Sequence, residues 1–216
     1  MSARALKPRE VPESRGDAHA FVWEPAGLTD IYREDVNLCV WRRGLDARLS
    51  AWLGGVGRKH RLQVVERVDA HALDLRASLA SVPESAEREA WLQDLHAVVG
   101  LYADLFEARW LGVRLTTVDR DLCPRFHVDR VGVRLLCTYA GPATEWLEEC
   151  HVARGHLGPT GEVLRPGGQV RTLERFDVAL LKGEAWPGNE GRGAVHRSPS
   201  LTKEGSRRIL LTVDVL

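Results

Sequence analysis

The chain has 216 residues with 30 basic and 30 acidic side chains, 44% hydrophobic and 28% charged content, a size and balance suited to one globular domain. Its formal charge of zero leaves no basic footprint for nucleic acid or an anionic membrane, and no apolar run approaches the ~20 residues of a membrane span or the length of a signal peptide. Four irregularly spaced cysteines (Cys39, Cys123, Cys137, Cys150) without a CxxC pair argue against a zinc ribbon and suit reduced thiols in a cytoplasmic protein.

Residues 1–30 are rich in charge and small side chains, and Pro8, Pro12 and Pro25 interrupt any helix, so this stretch reads as an extended arm. Residues 31–112 read as a helical region. Within it, 36–41 is a short strand or helix entry. Leu45, Leu49, Trp52 and Leu53 then fall at helical spacing until Gly54-Gly55 closes the segment. Residues 60–80 alternate without a clean period. Ser81 and Ser85 offer caps for a long amphipathic helix, whose stripe is Trp91, Leu92, Leu95, Val98, Val99, Tyr102, Leu105, Phe106 and Trp110. Such a stripe needs a surface to pack on, and a sheet face from the second half would supply it.

From residue 113 the texture changes to short β-type runs broken by Gly, Pro and Asp: 113–118, 125–129, 131–139, 170–173, 176–181, 194–197 and 207–215. Residues 152–163, with Gly155 and Gly158, read as a loop or lid. This many short strands in about a hundred residues predicts a small barrel or jelly roll over 113–216 and makes the whole chain α+β, helices in front and barrel behind.

The stretch that could carry chemistry is Cys123-Pro124-Arg125-Phe126-His127-Val128-Asp129. Two residues apart on an extended strand, His127 and Asp129 leave from the same face. With His196, which follows a Gly- and Asn-containing loop, they would form the two-histidine, one-carboxylate triad of non-heme ferrous sites. A zinc reading competes, because Cys123 lies four residues before His127 and Cys150-His151 follow Glu148-Glu149. Cys137, between Leu136 and Thr138, reads as a small buried hydrophobe, and Lys182 as a solvated strand end. Trp186 is either an aromatic lid or a packed loop anchor. The glycines from Gly155 to Gly168 lack the Gly-Lys-Ser/Thr of a phosphate loop, and Ser198 lacks a Gly-x-Ser-x-Gly elbow.

The order of these elements over 113–216 resembles the iron(II)/2-oxoglutarate dioxygenases of the double-stranded β-helix (jelly-roll, cupin-like) fold. The carrying features are His127-Val128-Asp129, the apolar strand ending at Tyr139, the Phe176-Asp177…Lys182-Gly183 strand, His196, and a basic residue eleven or twelve positions later. The resemblance implies Fe(II) on His127, Asp129 and His196, and 2-oxoglutarate held at its far carboxylate by Arg208 or Arg207. These two face opposite sides of a strand: Arg207 fits best by distance from Gly205, Arg208 by the final Arg-Ile-x-Leu texture, and the latter is favoured narrowly. Tyr139 is a further candidate for the co-substrate. The implied activity is a hydroxylase-type oxygenation of a substrate the sequence does not name, its pocket shaped by residues 148–168 and the helical half. The whole chain also resembles an uncharacterised bacterial family with a domain of unknown function, through Pro124-Arg125-Phe126-His127-Val128-Asp129, Leu180-Leu181-Lys182-Gly183-Glu184-Ala185-Trp186 and His196-Arg197-Ser198-Pro199. That resemblance implies a link to zinc homeostasis, so a Zn(II)-binding cupin-like protein without oxygenase activity is the alternative.

Overall fold

The computed structural model describes residues 18–120, 122–158, 162–201 and 207–216. Two α-helices lie on a seven-stranded sheet, and a three-stranded sheet faces it from the other side. The first part of the expected arm, residues 1–17, lies outside the described residues. Its second part is ordered into the sheet: β1 (His19–Val22) pairs in parallel with β2 (Leu38–Trp41), and a 3-10 segment, Pro25–Tyr32, joins them. Leu28 and Ile31 anchor that segment in the core.

Helix α1 (Ala47–Lys59) begins where Asp46 accepts hydrogen bonds from the amides of Arg48 and Leu49 at 2.8 and 3.2 Å. It does not stop at Gly54-Gly55. Those glycines sit mid-helix, where tertiary packing of Leu49, Leu53 and Val56 outweighs their roughly 1 kcal/mol preference against helix. The aperiodic stretch that follows contains β3 (Gln63–Asp69), the sheet's edge, with exposed and inward residues alternating. Helix α2 (Ala86–Leu105) starts at Ser85, whose hydroxyl accepts from the Arg88 amide at 3.1 Å, and buries Trp91, Leu92, Leu95, Val98, Val99 and Tyr102 as expected. Trp110 does not continue that stripe. It opens β4 (Trp110–Val118), half-exposed, beneath the guanidinium of Arg67.

The large sheet runs β1-β2-β8-β5-β10-β4-β3, with β5 (Val133–Ala140), β8 (Val178–Lys182) and β10 (Arg208–Val215) central and antiparallel. The small sheet is β7 (Val170–Thr172), β6 (Glu145–Leu147) and β9 (His196–Arg197). The expected architecture is met in coarse form, an α+β chain with a large, mainly antiparallel sheet. Strands are not confined to 113–216: β2 lies in the 36–41 run read as a short strand or helix entry, and β1 and β3 also come from the first half. Strand period sorts the side chains. On β5 and β10, Val133, Leu135, Cys137, Tyr139, Ile209, Leu211 and Val213 face the helices, while Leu136 and Leu210 face the small sheet with Trp146 and Ala194.

This alternation moves Tyr139 away from the role expected for it. Its hydroxyl donates to Asp94 on α2 at 2.7 Å, its ring packs on Trp91 and Phe176, and Asp94 also pairs with Arg43. Cys137, on the same side, is buried as a small hydrophobe, with its thiol pushed up to about 11 by burial. Among the described residues no helix is long and apolar enough to cross a membrane. Replacing Tyr139 by Phe should lower stability by about 1 kcal/mol, or about 2–4 °C in Tm, and leave 2-oxoglutarate affinity unchanged. Calorimetric melting alongside a binding titration checks this. Lost binding at unchanged Tm would return Tyr139 to the co-substrate.

Candidate metal centre

His127 and His196 come from segments 69 positions apart and are joined by backbone. Each amide donates to the other's carbonyl at 3.0 Å, an isolated antiparallel bridge that extends the small sheet by one residue pair. The run 125–129, expected as a strand, contributes only this bridge. It suffices to set the imidazoles side by side, with ring centroids 4.5 Å apart. In both rings Nδ1 lies against a carbonyl, 2.9 Å from Arg125 O for His127 and 3.0 Å from Ala194 O for His196. A carbonyl only accepts, so Nδ1 carries the proton and Nε2 presents its lone pair. Both lone pairs meet one carboxylate: His127 Nε2 is 3.8 Å from Asp129 Oδ1, and His196 Nε2 is 3.5 Å from Asp129 Oδ2. One ligand atom from each of the three residues falls within 4.8 Å of the other two.

The neighbouring loops lock this arrangement. Asp129 O accepts from the Glu184 amide at 2.9 Å, and Glu184 in turn accepts from the amides of Gly191 and Gly193 at 2.7 and 3.3 Å, just before His196. Glu184 therefore clamps both ligand-bearing loops. Gly183 is required beside it, because a Cβ there would sit 2.2 Å from Val131 O and 2.6 Å from Asp129 O. The phrase Leu180-Leu181-Lys182-Gly183-Glu184 is thus the seat of the metal-ligand loops. Lys182 is not solvated. It is buried, donates to Arg33 O at 2.7 Å, lies over Trp186 and has its pKa lowered by burial. Trp186 packs with Tyr32 and Phe106 as a loop anchor.

The electrostatics suit a cation. His196 is almost fully buried, and burial pushes its pKa down to about 4 against the pull of Asp129, so its imidazole is neutral at physiological pH, as a ligand must be. Asp129 Oδ2 is buried, and Arg134 Nη1 faces it as an ion pair at 2.9 Å. A buried carboxylate held by one guanidinium, with two imidazole lone pairs aimed at it, fits a divalent metal. Cys123 is exposed and lies outside the converging set. Glu148, Cys150 and His151 form a second cluster, but there Glu148 is paired with Arg171 at 2.9 Å.

A family model, "Protein of unknown function (DUF1826)", matches residues 23–214. The chain belongs to the DUF1826 family. No curated protein matches this member of it. Among solved structures it is similar to a Pseudomonas putida prolyl-4-hydroxylase, at 11% identity over 88% of this chain and 97% of the other, with a TM-score of 0.45. It is similar to AviO1 from Streptomyces viridochromogenes at 16% identity, over 89% and 96%, with a TM-score of 0.42. It is also similar to the non-heme alpha ketoglutarate dependent epimerase SnoN from nogalamycin biosynthesis at 14% identity, over 88% and 80%, with a TM-score of 0.44. What the site of this DUF1826 chain can do follows from its own side chains.

The two arginines entering β10 separate cleanly. Arg207 donates to Arg58 O at 2.8 Å, on the helix side. Arg208 points between the sheets and is 1% exposed. Its Nη2 donates to Thr138 and Thr144 hydroxyls at 3.0 Å each, and among the described residues its Nε has no partner and no carboxylate pairs with it. Burial alone pushes its pKa down to about 10. Thr138 and Arg134 share one face of β5, four residues or about 13 Å apart, with Leu136 between them. One end of that face lies by the candidate metal ligands, the other holds the Arg208 guanidinium.

Of the described residues in 148–168, Val152, Val163 and Leu164 pack with Leu147 and with Phe126, Val128 and Val195, which alternate with the candidate ligands and so face away from them. Sequence reasoning missed Arg134, Thr138, Thr144 and Glu184. Only the period-two pairing of 134 and 138 on a recognised strand could have pointed to the first two. Gly183→Ala should cost about 1–3 kcal/mol by displacing the Asp129 carbonyl and should weaken Mn(II) binding in the same variant. Thermal unfolding and metal titration read both, and wild-type values in the two would contradict this account of the clamp.

Proposed function

We propose that the chain is an iron(II)/2-oxoglutarate-dependent oxygenase of the double-stranded β-helix type, acting on a substrate that remains to be found. The observation that carries this reading is Arg208. A guanidinium sealed between sheets without a counter-ion is costly, and an incoming carboxylate would satisfy it. Its position, across the Leu136 face from an open two-histidine, one-carboxylate set, is what a metal-chelating dicarboxylate requires.

In this reading His127, Asp129 and His196 hold the iron, their Nδ1–H bonds to carbonyls fixing which nitrogen is offered. Arg208, steered by Thr138 and Thr144, takes the far carboxylate of 2-oxoglutarate. Leu136, Leu210, Trp146 and Ala194 pack as an apolar cluster between Arg208 and the candidate ligands, and this low-dielectric surrounding would strengthen the charge contacts beside it. Ferrous iron with its 2-oxoglutarate supplies the oxygen-activating chemistry when bound. The four cysteines are unpaired thiols, which supports a reducing, cytoplasmic setting.

Arg208→Gln tests the reading. Losing a buried charged partner costs about 2–5 kcal/mol, so the 2-oxoglutarate Kd of the metal-loaded protein should rise by at least ~30-fold. Mn(II) affinity should stay within about threefold, as the metal ligands are untouched. Equal 2-oxoglutarate affinity in wild type and variant would overturn the proposal. A zinc-tight wild type that ignores 2-oxoglutarate would shift the chain to the zinc-binding alternative.

A further inference from the structure

Arg134 stands closer to Asp129 than either histidine does, with Nη1 2.9 Å from Oδ2. The arginine is itself held from behind. Its Nε and Nη2 form a fork on Asp214 of β10 at 2.7 and 3.0 Å, and Asp214 takes a further bond from Arg114 of β4 at 2.5 Å. Three adjacent strands supply Arg114, Asp214 and Arg134, and Asp129 in the loop before β5 completes one alternating charge row that ends at the candidate metal site. Asp214 is buried, Arg134 largely so, and Arg114 is half-exposed, so the row is solvated only at its outer end.

A bidentate carboxylate fork on one side and an ion pair on the other fix the guanidinium plane. We infer that Arg134 is a positioning residue that shares the Asp129 carboxylate with the metal. It claims one oxygen and thereby keeps Asp129 a one-oxygen ligand. The inference rests on the metal reading above. Its consequence is numerical: the protein supplies three donor atoms, and about three positions of an octahedral ion stay open for co-substrate and oxygen. Without Arg134 the carboxylate is free to chelate through both oxygens and close one of them. The same cation also opposes the metal's charge, so the site trades affinity for open positions.

Arg134→Gln in the full chain, loaded with Mn(II), separates this from a structural role. Water-proton relaxation counts the exchangeable waters on the ion. The wild type should show about three and the variant about two, a drop of roughly a third in relaxation enhancement. The Mn(II) Kd should tighten by about three- to tenfold, since a like charge is removed and a donor gained. Asp214→Asn, which loosens the same arginine with less disturbance of the fold, should move both readouts in the same direction and add little in the double variant. A structural arginine would give the opposite result: weaker Mn(II) binding with hydration unchanged. That outcome, or no change in either variant that folds by circular dichroism, overturns the inference. Failure of wild-type protein to bind Mn(II) at all would instead remove the metal reading beneath it.

Discussion

The constraint on which the site depends is the pair of backbone hydrogen bonds between His127 and His196. Two short segments are brought into register by a single bridge. Because side chains alternate along extended chain, that register turns both imidazoles and Asp129 inward while Phe126, Val128 and Val195 turn outward. A slip of one residue would exchange ligands for hydrophobes. Glu184 and Gly183 prevent the slip, the first by bonding to both loops, the second by leaving room for the carbonyls of Asp129 and Val131.

Around that bridge the interior carries more charge than a packed core tolerates without purpose. Asp129, Arg134, Asp214 and Arg208 all lie in or beside the gap between the sheets. Three of them form a connected row in which each charge is answered by a neighbour. Arg208 is the exception, with only two threonine hydroxyls to meet it. Replacing buried ionic groups by apolar ones is often neutral or stabilising, so an unanswered buried arginine is poorly explained by stability. It is well explained by a bound anion.

How much was legible in the sequence varied with how local the signal was. The helix α2 stripe, the strands β5, β8 and β10, and the His127, Asp129 pair were readable because period and spacing are local properties, whereas His196, 69 positions from His127, was reached through the order of the elements and the resemblance they carry. The docking of β1 was not, since it is four residues long and pairs with β2, which in turn pairs with β8 more than 130 positions away. The glycines of α1 misled for the same reason: tertiary burial of Leu53 and Val56 decides that helix. Arg207 against Arg208 is a question of parity, and only the register of β10 against β5 answers it. Tyr139 shows the converse error. Its place at the end of a strand was right, but one residue of alternation sends it to α2 and leaves Thr138 facing the site.

The measurement that bears most directly on the central claim is an anaerobic titration of Fe(II)-loaded protein with 2-oxoglutarate, followed in the visible spectrum. A weak charge-transfer band that grows to saturation at one equivalent, and is missing from the His127→Ala protein, is the predicted result, because it requires an iron with open positions chelated by the co-substrate. A colourless titration with the iron bound would contradict the account, since it would mean that the three ligands hold a metal that 2-oxoglutarate does not reach.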